Sequence, residues 1–198
     1  MPRFTADAEK SGDGRRHRAR RSRPAGLNGF GRRFLVLAVA VAAALLVRVY
    51  VMHFAVVRGI SMEPTLREGE WVLVNKIVYA IEEPRRGDVV ILRNPSKFPD
   101  SPKLIVKRIV GEPGDTLEIR DGRLYVDGVR LIEPYTDADI EGEGMAPVRI
   151  SGGHYFVMGD NRRLAASEDS RSFREVEKER IVGRAELVIW PIPGWRRL

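Results

Sequence analysis

Cysteine is absent from the 198 residues, which removes disulfides, thiol nucleophiles and thiolate metal sites. Histidine is scarce. His17, His53 and His154 are the full set, and none has a spaced partner that suggests a zinc site. A Ser-His-Asp triad would need His53 or His154, yet no G-x-S-x-G elbow is present. The S-x-x-K pattern of penicillin-binding proteins and β-lactamases is missing, as are glycine-rich phosphate loops. Excess charge is missing as well, outside the N-terminus. Residues 1–33 hold ten of the 34 Lys/Arg and three of the 27 Asp/Glu, whereas residues 34–198 hold 24 of each. The sequence pI near 10.0 therefore belongs to the tail. A neutral remainder gives no support to nucleic-acid binding.

One long apolar run is present. Phe34 to Val47 contains no polar side chain in fourteen residues, and after Arg48 the apolar character continues to Val57. Fourteen helical residues rise about 21 Å, short of a hydrocarbon slab of roughly 30 Å. Adding Gly31 to Arg33 and Arg48 to Met52 closes the gap, because arginine snorkels to the headgroups. The alternatives are a buried core helix or a cleaved signal peptide. The second is opposed by the long basic region and by the lack of a polar stretch with a small-x-small site after the run. The reading is a basic, disordered cytoplasmic tail over 1–32, a transmembrane anchor over 33–52 and an extracytoplasmic domain over 53–198. The orientation follows from Arg15 to Arg33 preceding the helix, the positive-inside bias.

Beyond the anchor the pattern is mainly β. Residues 71–79, 88–93 and 103–110 are β-branched runs of strand length, and 154–160 and 181–190 read as further strands. Between them, apolar residues alternate across 116–131 with Asp121-Gly122 and Asp127-Gly128 interposed, a two-turn meander. Residues 132–147 are acidic and glycine-containing and read as an exposed loop, while 175–180 suggest a helical turn. The expected architecture is an irregular β-barrel or sandwich.

Two stretches carry chemistry. In Gly59-Ile-Ser-Met-Glu-Pro-Thr-Leu66, a serine two residues after glycine and three before proline sits on a constrained turn open to a substrate carbonyl. An ordinary turn into the next strand is the competing reading. A serine hydroxyl needs a base. Without a usable histidine that base is a neutral lysine, whose pKa must fall from about 10.4 to roughly 8 through burial. Of Lys10, Lys76, Lys97, Lys103, Lys107 and Lys178, Lys107 is best placed, inside the aliphatic run Leu104 to Val110. A surface lysine whose stem covers an edge strand is the alternative. Arg108 cannot release its proton, and needs a carboxylate such as Asp160 or Asp169.

These stretches resemble the type I signal peptidases, membrane-bound Ser-Lys endopeptidases that remove signal peptides from exported proteins. The resemblance covers roughly residues 34–190. S-M-E-P-T-L (61–66) is similar to the family's nucleophile box, with Met62 and Pro64 in it. R-G-D-V-V-I-L (86–92) matches a structural strand, and K-R-I-V-G-E-P-G-D (107–115) the lysine box. G-D-N-R (159–162) with S-E-D-S-R (167–171) matches the last box. The resemblance implies Ser61 as nucleophile and Lys107 as general base. Gly59 stands where some members have a serine whose hydroxyl helps bind the oxyanion, which leaves that task to backbone N–H groups, chiefly that of Ser61. The family's lysine-bonding serine is placed by the last box at Ser167 or, counted from the glycine, at Ala165, since residues 163–166 are two longer than usual. Ser167 is favoured because it has a hydroxyl. Gly159, Asp160, Asn161, Arg162, Asp169 and Arg171 are expected to be scaffold.

The resemblance further implies a preprotein cleavage region with small residues at the first and third positions before the cut, docked as an extended strand. It implies no metal, cofactor or nucleic acid. The anchor and an apolar surface near Met62, Trp190 and Trp195 would hold the site at the lipid bilayer. The rivals are a non-catalytic, membrane-anchored β-domain that binds a partner, and a Ser-Lys peptidase with another task.

Overall fold

The computed structural model describes residues 29–46, 52–96 and 101–198. The chain clusters into two units, Met1–Ala40 and Val41–Leu198. Helix α1 spans Gly29–Leu46. It begins four residues before the expected anchor, so residues 29–32, read as part of a disordered tail, are helical. Residues 1–28 of that tail and 47–51 of the expected anchor lie outside the described residues. Eighteen residues rise about 27 Å. Arg32 and Arg33 sit inside the helix, leaving only Phe34 to Leu46 continuously apolar. Among the described residues, no helix is long and apolar enough to cross a membrane.

The rest is mainly β, as the sequence predicts. The strands in order are β1 (Met52–Val56), β2 (Trp71–Asn75), β3 (Val89–Arg93), β4 (Leu104–Gly111), β5 (Thr116–Arg120), β6 (Arg123–Val126), β7 (Val129–Arg130), β8 (Met145–Arg149), β9 (His154–Met158), β10 (Val176–Glu177), β11 (Ile181–Trp190) and β12 (Arg196–Arg197). Short helices α2 (Val78–Ile81) and α3 (Ser170–Phe173) interrupt them. The larger sheet runs β1-β2-β11-β3-β4-β9-β10 with β12 on β11, and the smaller runs β7-β6-β5-β8. All pairings are antiparallel.

Local chemistry explains these boundaries. The meander forms where expected, with φ of 51° and 68° at Asp121-Gly122 and 49° and 80° at Asp127-Gly128. Positive φ at both central residues is the turn that matches strand twist. The apolar run 71–79 breaks at Asn75, whose Oδ1 accepts from the N–H groups of Ile77 (3.1 Å) and Val78 (3.2 Å) and turns the chain into α2. A side-chain acceptor there competes with the ladder and wins. Residues 132–147 are not simply an exposed loop. Ile140 is buried with Leu117, Leu124 and Phe156 between the sheets, and β8 begins at Met145. The turn expected over 175–180 is short, Val176–Glu177 pairing with β9 before one 3-10 turn at Lys178–Arg180.

Two further apolar clusters hold the larger sheet. One joins Val72, Val74, Val89 and Val188 to Met62 and Leu66, which come from the segment between β1 and β2. Full burial of each such side chain contributes about 2 kcal/mol. The other packs Val90 and Leu92 with Ile109, Tyr155 and Val157. At the C-terminus, Arg196 donates to both oxygens of buried Glu70 and to the Thr65 carbonyl, strapping the chain end to the segment after Ser61.

Candidate active site

Ser61 opens a tight turn fastened at both ends. Glu63 N–H donates to the Ile60 carbonyl (3.1 Å) and Leu66 N–H to that of Met62 (2.8 Å), while Met62 and Leu66 sit in the core. Met62 was expected on an apolar surface; it is 1 % exposed, because it is the plug that seats the turn. Trp190 and Trp195 are exposed, as that expectation required. Ahead of the turn Gly59 adopts φ +80°, a left-handed conformation that favours glycine. Its own N–H donates to Glu68 Oε1 (3.3 Å).

Lys107 lies on β4 opposite Val90 of β3. Its side chain is 3 % exposed and its Nζ stands 2.8 Å from Ser61 Oγ. Burial pushes its pKa down from 10.5 to about 8, against the opposing pull of the Asp169 and Glu168 carboxylates. Near pH 8 a substantial share of such amines is neutral, and a neutral amine at hydrogen-bond distance from a hydroxyl can accept its proton.

Arg108, next in sequence, resolves the open choice of partner. Its Nε and Nη2 donate to the two oxygens of Asp160 (2.9 and 2.7 Å), and its Nη1 to the Gly87 carbonyl (2.7 Å). The Tyr135 ring covers the guanidinium at 4.0 Å. Asp169 serves Arg171 instead, accepting from Nε and Nη2 at 2.9 Å each, and also caps α3 through the Arg171 N–H. Burial pushes the Asp169 carboxyl up, but its bonds to Arg171, Gly159 N–H and Ser167 more than offset this and hold it below the usual range. Arg162, also buried, donates to the Gly159 carbonyl (2.8 Å) and forks onto Glu133.

Ser167 lies across Gly159 from the Ser61 turn, with a different hydrogen bond from the one expected. Its hydroxyl donates to Asp169 Oδ2 (2.9 Å). A carboxylate two residues away, already fixed by Arg171, is the stronger acceptor. Ala165, the other candidate, adopts φ +59° and is exposed. Gly159 lies against both sites, since a Cβ on it would overlap Ser167 Oγ and the Ser61 carbonyl oxygen. Asn161 bonds to the Ser61 turn twice, its backbone N–H to the Ser61 carbonyl (3.1 Å) and its Nδ2 to that of Ile60 (3.2 Å).

Sequence reasoning missed Glu133 and Tyr135, and it gave Asn161 no specific partner. The signal for the first two was available: buried arginines in two boxes need carboxylates and aromatic faces, and the acidic stretch 132–147 supplies them.

Ser61 and Lys107 open on a cleft of about 520 Å3. One wall is the run Ala55 to Ser61, another is Leu104 to Lys107, and Ile91, Ala166 and Glu168 are among the other residues that line it. Strand β4 pairs with β3 over Leu104 to Arg108 but with β9 only from Arg108 onward. Its Leu104 to Lys107 edge therefore lacks a strand partner among the described residues, and β1 is an edge strand of the same sheet. Two open edges thus flank one cleft. Among the described residues no cluster of three or more His, Asp or Glu is placed to hold a metal ion.

Known proteins share this sequence pattern. The family described as Signal peptidase, peptidase S26, matches residues 31–190. Signal peptidase I of Bacillus licheniformis is 38% identical over 169 residues, covering 80% of this chain and 88% of its own. Signal peptidase I T of Bacillus subtilis (strain 168) is 36% identical over 171 residues, covering 81% and 86%. A signal peptidase I crystal structure from Enterococcus faecalis V583 aligns with a TM-score of 0.42 and 29% identity, over 52% of this chain and 97% of that one. On the family match and the Bacillus relatives, the chain belongs to the signal peptidase family, peptidase S26, and is a serine endopeptidase.

Proposed function

We propose that the protein removes signal peptides from exported preproteins at a membrane, with Ser61 as nucleophile and neutral Lys107 as general base. The observation that carries this reading is the 2.8 Å approach of a buried lysine amine to a serine hydroxyl at the floor of a cleft. The preprotein lies extended between the two open strand edges, bound through main-chain hydrogen bonds. Small side chains at the first and third positions before the cut enter the apolar walls near Ile91 and Leu104. Lys107 takes the Ser61 proton as Oγ attacks the scissile carbonyl, and the oxyanion is received by the Ser61 N–H. The ammonium then protonates the leaving amine as the C–N bond breaks. Neutral once more, Lys107 activates the water that hydrolyses the acyl-enzyme.

The apolar run that begins at Phe34 within α1 tethers the domain to the bilayer, with the N-terminus in the cytoplasm and the cleft on the far side. A row of exposed side chains supports contact with lipid. Val56 stands opposite Trp71 and Trp71 opposite Trp190 in strand register, with Ile192 and Trp195 following. Tryptophan favours the membrane–water interface.

The test uses the full chain in detergent and a peptide bearing Ala-x-Ala before the cut. Wild type cleaves after the second alanine, while Ser61→Ala and Lys107→Arg give no turnover with their folds intact. Normal cleavage by S61A would remove the nucleophile from this scheme, and normal cleavage by K107R would remove the base.

A further inference from the structure

The Ser61 N–H makes no hydrogen bond within the described residues, while the Ile60 and Ser61 carbonyls and the Ser61 hydroxyl are engaged. Two peptide planes meet at the Ser61 α-carbon, and one residue holds both. Asn161 Nδ2 donates to the Ile60 carbonyl, adding to the Glu63 N–H that holds it from within the turn, and Asn161 N–H donates to the Ser61 carbonyl. A trans peptide is planar, so its N–H points opposite to its C=O. Fixing the Ile60 oxygen therefore fixes the direction of the Ser61 N–H at the other end of that plane. Asn161 is itself held: it is 4 % exposed and its Oδ1 accepts from the Arg163 N–H at 3.3 Å.

We infer that Asn161 is the positioning residue of the oxyanion site, aiming the Ser61 N–H by gripping the far end of its peptide plane. The inference rests on the proposed role of Ser61. Asn161 touches neither substrate nor the reacting atoms. A donor aimed in advance stabilises charge as it develops, and stabilises the bound substrate much less. Loss of the grip therefore lowers kcat and leaves KM nearly unchanged. It also weakens a peptide aldehyde, whose adduct with Ser61 carries the same oxyanion, more than the parent peptide.

Asn161→Asp tests this with little change of shape, since it keeps an oxygen for the Arg163 N–H and loses the amide donor. The expected result is a fall in kcat of about 10- to 100-fold, an equal loss of aldehyde affinity, and KM within about twofold of wild type. Inhibition constants are read from active molecules alone, so partial unfolding does not blur them. Should N161D not fold, Asn161→Ser, which shortens the arm, is put through the same comparison. Unchanged kcat and aldehyde affinity in the variant that folds overturn the inference, as does a kcat loss with aldehyde affinity intact. Ser61→Ala, measured alongside, separates the two readings. If S61A still cleaves, the nucleophile assignment fails. If S61A is inactive while N161D behaves as wild type, only the role of Asn161 fails.

Discussion

Gly159 and Ser61 meet backbone to backbone: a methyl group on the Gly159 α-carbon would occupy the space of the Ser61 carbonyl oxygen. Ser167 closes the other side of the same gap. Gly159→Ala must push one of these neighbours aside, and neither is the loose end of a long side chain. Overpacking of this kind costs about 1–3 kcal/mol. The expected outcome is a lower urea midpoint together with a fall of about 100-fold in kcat. Wild-type kinetics in G159A would show that the contact has no bearing on the nucleophile.

The depressed pKa of Lys107 gives both a rate profile and a stability profile. In the proposed mechanism cleavage needs the neutral amine, so kcat/KM should climb as pH rises through about 8. For stability, the folded pKa lies below the unfolded one, so folding buries a charged ammonium below about pH 8 and strips a proton that the unfolded chain keeps between about 8 and 10.5. This penalty, about 3 kcal/mol, is complete below about pH 8, shrinks as pH rises towards 10.5 and is absent above. Lys107→Met should therefore raise Tm at pH 7, with the gain fading near pH 10.5. A gain independent of pH would show that the lysine carries no such penalty.

Glu168 is exposed at the cleft, and its carboxylate raises the Lys107 pKa. Glu168→Gln removes that pull. The rising limb of the kcat/KM profile is expected to move to lower pH, most clearly at low ionic strength, where exposed charges are least screened. A limb that stays put at low salt would exclude Glu168 from the electrostatics of the base.

Arg108 and Asp160 form a buried, two-point ion pair, with side chains 7% and 0% exposed. Asp160→Asn leaves the guanidinium without its counter-charge. The expected cost is about 3–5 kcal/mol in urea unfolding. Replacing both, by Arg108→Met with Asp160→Leu, should cost less than D160N alone, because it leaves no stranded charge. The reverse order would mean that the pair's bonds to Gly87 and the Tyr135 ring matter more than its charge balance.

The strands that carry the site were legible because their signals are local. Aliphatic runs fix β3 and β4, Asp-Gly pairs fix the meander, and a lysine within an aliphatic run identifies Lys107. What was not legible depends on contacts far apart in sequence. The acidic stretch around Glu133 and Tyr135 looks solvated until the buried Arg108 and Arg162 come into view. Ser167 reads as a lysine partner in the sequence, and only the folded position of Asp169 shows that its hydroxyl goes to that carboxylate instead. Gly159 carries no marker of its tightness, which comes from Ser61, nearly a hundred residues earlier. The sequence places the start of the anchor four residues late, since residues 29–32 look like part of the tail until α1 is seen to begin at Gly29.

Strand β11 sits between β2 and β3 in the larger sheet. The hairpin leading to and from Ser61 is on one side of it, and the β3–β4 pair bearing Lys107 is on the other. Both halves leave the ribosome well before residues 181–190 do. A nascent chain thus exposes Ser61 and Lys107 without the girder that sets them side by side, so the proposed dyad assembles late in synthesis.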